Sequence, residues 1–360
     1  MNKRQFLKTV SLAALTASKW GISPSFAQEN TNLQRGHRAW IHPSKDESHE
    51  TLNARYKSYR EAGITVIYIE GGSEVHARIA KENGIEAHYW GWTLLKNDAA
   101  LMKSRPEWYA VNRNGKSTNT HPAYVDYYRW LCPSREDIHE FLELEARKQL
   151  AKEEVDGYHL DYIRYCDVIL PVNLWDKYKI VQTSELPEYD YCYCEVCQEK
   201  FEEQYGINPF KLEYPDQSPS WRAFRYDNIT RLVNRIANVA KEFSKPLTAA
   251  VFPTPEIAQR LVRQDWLNWN LSAVNPMIYH EFYRENVEWI GQAVKEGVNS
   301  LNNRLPLFAG LYLPDFKTEE ELRKAIVLSL RNGASGVTIF SNPNENILRV
   351  LQQATLEAKS

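Results

Sequence analysis

The chain has 360 residues, with 44 Lys and Arg against 46 Asp and Glu and a formal charge of -2. That balance excludes a protein that grips nucleic acid through a basic surplus, and 43% hydrophobic with 25% charged residues excludes a disordered or fibrous chain. Aromatic content is the unusual feature, 11 Trp, 21 Tyr and 12 Phe, and it suits either a large core or a cleft where flat rings with polar tips meet a sugar.

Residues 1–27 read as a secretory signal. Lys3 and Arg4 precede a mostly apolar run, Val10 to Ile22, and Ser25-Phe26-Ala27 offers a small-x-small cleavage point. The segment Lys3-Arg4-Gln5-Phe6-Leu7-Lys8 resembles a twin-arginine export signal with Lys in the first place, so that route and the ordinary secretory route both fit. The expected location is periplasmic or extracellular, with no membrane span left after cleavage.

Residues 28–360 are expected to form one domain. Strand-like runs fall at Arg38–His42, Thr65–Glu70, Glu86–Trp92, Gly157–Tyr165, Leu247–Phe252, Ala273–Tyr279, Leu307–Leu313 and Gly336–Ser341. Helical patterns lie between them at His49–Glu61, Glu74–Glu82, Arg135–Lys152, Trp221–Phe243, Glu256–Trp266, Glu285–Val298 and Glu319–Arg331, and Glu345–Glu357 closes the series. Gly63, Gly84 and Gly333 stand where helices should stop. Eight strand and helix pairs in strict order predict an α/β fold, a (β/α)8 TIM barrel, with long loops after the third and fourth strands. A doubly wound sheet would need a glycine-rich phosphate loop after the first strand, which Ile41-His42-Pro43-Ser44 does not supply.

Barrel active sites sit at the C-terminal ends of the strands, and the fourth strand carries the sharpest signal there. Side chains alternate along a strand, so His159, Asp161 and Ile163 share one face and Leu160, Tyr162 and Arg164 the other. Asp161 is the principal candidate catalytic carboxylate, with His159 and Arg164 tuning its charge and orientation. Cleavage of a glycosidic bond needs a second carboxyl group; Glu281 and Asp315 are preferred, then Glu70. His42, Glu70, His88, Trp90, Trp92, His159, Arg164, Asn275, Tyr279, His280 and Tyr312 are the candidate substrate contacts, with His88, Trp90 and Trp92 on one strand face. Any one of these aromatics also suits the packing of the barrel's top layer.

A catalytic metal is not expected, because Trp40-Ile41-His42 has one His where metal-hydrolase barrels carry a His-x-His pair, and no other cofactor is expected. The five cysteines are Cys132, Cys166, Cys192, Cys194 and Cys197. Disulfides, free thiols, or a structural zinc held by Cys166, Cys192, Cys194 and Cys197 all fit their spacing.

Asp156-Gly157 followed by Asp161 resembles the fourth-strand motif of chitinase-type glycosidases. His159 and Ile163 stand where that motif has an acidic residue and the catalytic Glu, so its mechanism does not carry over. A closer resemblance is to secreted bacterial glycosyl-hydrolase-like (β/α)8 barrels. It rests on Asp156-Gly157-Tyr158-His159-Leu160-Asp161-Tyr162-Ile163-Arg164-Tyr165, Arg105-Pro106-Glu107-Trp108 with Asn114-Gly115, Cys194-Glu195-Val196-Cys197 with Phe201, and Asn275-Pro276-Met277-Ile278-Tyr279. It implies an exported glycoside hydrolase acting on a poly- or oligosaccharide through two carboxylates, Asp161 first. A non-catalytic carbohydrate-binding barrel, and a barrel hydrolase or lyase of a non-glycosidic bond, are the alternatives.

Overall fold

A computed structural model describes residues 36–360; the signal expected over residues 1–27 lies outside the described residues. The apolar runs become eight strands: β1 (His37–Ile41), β2 (Ile64–Glu70), β3 (Glu86–Trp92), β4 (Gly157–Asp161), β5 (Leu247–Val251), β6 (Ala273–Pro276), β7 (Phe308–Tyr312) and β8 (Gly336–Phe340). All pair in parallel in the order β6-β5-β4-β3-β2-β1-β8-β7. Parallel bridges Val274 to Leu307 and Met277 to Gly310 join β6 to β7. The eight helices that follow the strands are α1 (His49–Glu61), α2 (Glu74–Glu82), α3 (Glu136–Leu150), α4 (Pro219–Glu242), α5 (Pro255–Val262), α6 (Val287–Leu301), α7 (Glu319–Arg331) and α8 (Glu345–Lys359). This is the expected (β/α)8 TIM barrel.

Local chemistry sets the helix ends. Ser48, Ser73, Ser218, Thr254, Asn286, Thr318 and Asn344 each cap a helix by accepting a backbone N–H three residues on. Gly63, Gly84 and Gly333 follow the last turns of α1, α2 and α7 at φ of +87°, +71° and +97°, a conformation that favours glycine. None of the described helices is long and apolar enough to cross a membrane.

Two cores result. Residues such as Ile67, Ile69, Leu160 and Ile339 pack against the helices, while Trp40, Val66, Tyr68, Trp90 and Ala250 fill the barrel axis. The axis is also polar and hydrogen-bonded. Arg38 Nη1 donates to the Tyr68 hydroxyl, which donates to Asn275 Oδ1 at 3.1 Å; Thr338 Oγ1 donates to the same oxygen at 2.8 Å. Buried polar groups are hydrogen-bonded, and Asn275, expected from sequence to touch substrate, is fully buried in the barrel axis with partners from Tyr68 and Thr338 and does not line the cavity at the strand ends.

The fourth strand is shorter than its apolar run. It stops at Asp161 because Tyr162 adopts a φ of +48° and turns the chain. The alternation expected through Ile163 therefore ends at Asp161. Tyr162 and Arg164 consequently come to line the same cavity as Asp161.

The two long loops, residues 93–135 after β3 and 162–218 after β4, form one layer over the strand ends. An antiparallel bridge joins Asn112 to Tyr191, and Tyr193 donates its backbone N–H to Val111 O at 2.7 Å. A buried ion pair, Arg225 Nη1 to Asp190 Oδ1 at 2.5 Å, pins the second loop to α4. The Tyr193 hydroxyl donates to Asp190 Oδ2 at 2.7 Å and so satisfies the other carboxylate oxygen.

Candidate active site

The β3–β4 register orders the predicted residues by depth. Trp92 lies opposite Asp161, Trp90 opposite His159, and His88 opposite Gly157. Asp161 and Trp92 therefore reach the mouth, His159 sits one layer below and His88 lies deeper still; Trp90, level with His159 in register, lines the mouth cavity through its indole. His88 is buried, with Nε2 3.3 Å from Glu86 Oε2, and does not line the mouth cavity. His159 is also structural: it accepts from Trp40 Nε1 at 2.8 Å, its Nδ1 is 2.8 Å from Thr248 Oγ1, and its ring stacks on Tyr68 at 3.7 Å. Burial pushes its imidazole well below the usual range, so it is neutral, with the Nδ1 proton directed at Thr248.

Asp161 ends β4 at only 9% exposure. Its Oδ1 accepts the backbone N–H of Tyr162 at 2.7 Å and its Oδ2 accepts the indole N–H of Trp90 at 2.9 Å. Burial raises its carboxyl above the usual aspartate range; those two donors and the Arg164 charge work against the rise, and the Glu70 charge adds to it. Glu70, the last residue of β2, shares the cavity. Its Oε2 lies 2.6 Å from His42 Nδ1, and the His42 ring rests on Trp90 at 5.4 Å and on Phe340 at 5.7 Å.

The residues preferred from sequence as the second carboxylate fall elsewhere. β6 ends at Pro276, so Glu281 lies on the turn His280–Tyr283 beyond the rim. Its carboxylate is 3.6 Å from Lys317 Nζ on a separate surface site with Arg284 and Lys324. Asp315 is buried, with Oδ2 3.9 Å from His280 Nδ1, and burial pushes its carboxyl up to about 6. His280 packs on Phe316 at 5.2 Å and is likewise away from Asp161. Glu70, the last of the three candidates from sequence, is the one that lines the Asp161 cavity, and Asp167 from the β4 loop lines it too.

The cavity of ≈ 230 Å³ is walled mainly by rings. Trp90, Trp92 and Tyr279 were expected; Tyr124, Tyr128 and Tyr178 from the long loops, with Phe252, Phe282 and Phe340, were not. The cluster Tyr124-Val125-Asp126-Tyr127-Tyr128 was the available signal. Tyr312 backs the wall, 5.3 Å from the Tyr279 ring and 5.6 Å from Phe340. Arg164 lines the cavity too, but Asp167 Oδ2 engages its Nη1 at 2.9 Å and its guanidinium lies 4.7 Å over Trp130. Asp167 lines the cavity as well and is paired with Arg164, while Glu70 pairs with His42 and Asp161 accepts from Trp90 and the Tyr162 backbone.

Two polar atoms in this wall are buried without a hydrogen-bond partner, Trp92 Nε1 and the Tyr279 hydroxyl. An orphaned buried donor costs about 1–3 kcal/mol. Both residues line the cavity wall.

A separate cluster gathers four thiols. The sulfurs of Cys132, Cys192, Cys194 and Cys197 all lie within 4.8 Å of one another. Cys132 takes the place that spacing had given to Cys166. The Tyr109–Leu131 bridge within the first loop and the Asn112–Tyr191 bridge between the loops bring Cys132 to the other three, whereas Cys166, at the start of the β4 loop, is buried outside the group.

No protein-family model matches the chain, and no curated protein matches it by sequence. Solved structures do. A β-galactosidase from the haloarchaeon Halorubrum lacusprofundi aligns with a TM-score of 0.63 at 11% identity, over 90% of this chain and 58% of the galactosidase. The catalytic domain of a β-amylase from Paenibacillus polymyxa aligns with a TM-score of 0.61 at 11% identity, over 91% of this chain and 99% of that domain. An α-L-fucosidase from Paenibacillus thiaminolyticus gives a TM-score of 0.59 at 12% identity, over 90% of this chain and 49% of the fucosidase. The chain thus spans little more than half the length of the galactosidase and about half that of the fucosidase. At such identities these likenesses show a shared barrel.

Proposed function

We propose that the protein is a glycoside hydrolase whose two working carboxylates are Asp161 and Glu70. One observation carries the reading: Asp161 has both oxygens held by N–H donors and shares an aromatic cavity with Glu70. A sugar ring offers apolar C–H faces to Trp90, Trp92 and Tyr279 and hydroxyls to the unpartnered Trp92 and Tyr279 donors. The structural neighbours are named as a β-galactosidase, a β-amylase and an α-L-fucosidase, which supports a carbohydrate substrate. At ≈ 230 Å³, below the range of about 300–1,000 Å³ for ligand pockets, the cavity suits one terminal sugar unit better than a polysaccharide track.

In this mechanism Asp161, fixed by Trp90 and Tyr162, stabilises or captures the positive charge that grows at the anomeric carbon. Glu70 delivers the proton to the departing glycosidic oxygen, and His42 at 2.6 Å holds that carboxyl in place. Loss of that proton leaves Glu70 as the base that activates water. We also propose export to the periplasm or the exterior, on the basis of the Lys3-Arg4 start and Ser25-Phe26-Ala27 exit.

The test is a panel of bacterial, algal and plant glycans and aryl glycosides assayed for new reducing ends, with Asp161→Asn in parallel. Turnover that Asp161→Asn leaves untouched overturns the reading. Sugar binding with no turnover on any glycan favours a carbohydrate-binding barrel instead.

A further inference from the structure

The cavity walls Tyr124 and Tyr128 come from the β3 loop, and Leu170, Leu174 and Tyr178 from the β4 loop. Both loops lie over the strand ends, joined there by the Asn112–Tyr191 bridge and the Tyr193 N–H bond to Val111 O. Part of the tie is the Cys132, Cys192, Cys194, Cys197 cluster, with Cys132 on the first loop and the others on the second.

We propose that these four cysteines bind one zinc ion as thiolates, and that the ion clamps the two loops that wall the cavity. Cys132 Sγ lies 3.5 Å from Cys194 Sγ and 3.4 Å from Cys197 Sγ. A disulfide would bring one pair to about 2.05 Å and leave the other apart. Two sulfurs on a tetrahedral zinc with bonds of about 2.3 Å stand about 3.8 Å apart, close to what one sulfur shows here toward two others. Four thiols and no imidazole or carboxylate form a soft donor set, which selects zinc over hard cations.

The surroundings suit thiolates. The Val111 backbone N–H donates to Cys192 Sγ at 3.4 Å. Cys194 occupies the N-cap of the helix Glu195–Tyr205 with no other side chain satisfying that end, where the helix dipole favours negative charge. Cys197 Sγ is 3.1 Å from Ser134 Oγ. That hydroxyl already accepts Asn228 Nδ2 at 2.7 Å, so its own proton is free to point at the sulfur. Groups of this kind, one bond behind the ligands, orient a metal site and sustain its charge. Metal at this place links sequence positions far apart, and the ordering it supplies is spent on the loops and not on the closed barrel.

The experiment uses the full chain, purified without chelator, with metal by elemental analysis and thiols counted in denaturant with and without reductant. The expected result is about one zinc per chain and all five cysteines titrating without reductant. Cys132→Ser should lose the zinc, while Cys166→Ser should keep it. Cobalt in place of zinc should give the intense visible absorption of a tetrahedral thiolate site. Stripping the metal from the wild-type protein should expose bonds within residues 93–135 and 162–218 to limited proteolysis before the barrel unfolds, which tests the clamp even where Cys132→Ser fails to fold. Thiols that appear only after reduction, five free thiols with no metal, iron in place of zinc, or zinc retained by Cys132→Ser each overturn the proposal. None of these readouts uses turnover, so the zinc reading and the glycosidase reading fail separately.

Discussion

The indole N–H of Trp90, on β3, donates across 2.9 Å to Asp161 Oδ2 at the end of β4. The register sets Trp90 opposite His159, two residues before Asp161, so the bond runs diagonally up the barrel wall. It takes a lone pair of a buried carboxylate whose other hydrogen-bond donor among the described residues is the Tyr162 backbone N–H.

Removing that donor should move the acid limb of activity. Burial already raises the Asp161 carboxyl, so a mechanism that needs the carboxylate loses activity as pH falls through a value above that of an ordinary aspartate. Trp90→Phe deletes one bond to the charged form, worth about 1.5–3 kcal/mol, and should shift the acid limb of kcat/KM upward by about one unit or more. A pH profile with an unmoved acid limb would count against Asp161 as the ionised partner.

Glu70 and Glu281 separate the structural reading from the sequence expectation. Glu70→Gln should lower kcat by about 10²- to 10⁴-fold, the usual worth of a positioned acid or base. Glu281→Gln, beside Lys317 on another surface, should leave kcat and KM near wild type. Steady-state kinetics on one aryl glycoside and one natural glycan decide between the two.

Tyr279→Phe should affect sugar binding and stability in different directions. The hydroxyl is buried with no partner, so its removal relieves a desolvation cost and should hold or raise Tm. Binding should weaken by about 0.5–1.5 kcal/mol, or roughly two- to tenfold. Calorimetric titration with sugar, beside a thermal melt, reads both.

Asp315 should make stability fall with rising pH. Its carboxyl titrates at about 6 when folded against an ordinary 3.8, so between those values the folded chain holds a proton that the unfolded chain has released. Stability is therefore lost as pH climbs through that window. Asp315→Asn, which keeps an acceptor for the Glu281 backbone N–H, should stabilise the protein at pH 7 by about 3 kcal/mol and make no difference near pH 3.5. Urea unfolding at the two pH values checks the sign.

Asp190→Asn should be costly. It leaves the Arg225 guanidinium buried without its carboxylate, a change worth about 3–5 kcal/mol. The loss should appear in urea unfolding and as early proteolysis after β4, because the pair pins that loop to α4.

The architecture is legible in the sequence. Helix and strand periodicity, capping residues and helix-stopping glycines are local properties, and the eight units they mark all appear, with α1, α2, α7 and β3 at the expected bounds. Asp161 was also legible, because a charged residue near the end of an apolar strand has few places to go but the mouth. Its companions come from strand pairing and loop packing. Glu70 joins it because β2 and β3 pair with a register that sets Glu70 opposite Trp90, and no spacing within one segment encodes that. Asn275 and His159 look like ligand contacts in sequence, yet the barrel axis supplies their partners from β2, β5 and β8. Cys132 replaced Cys166 for the same reason: a sulfur cluster is assembled by how two loops pair, and pairing between distant segments is a property of the packed chain.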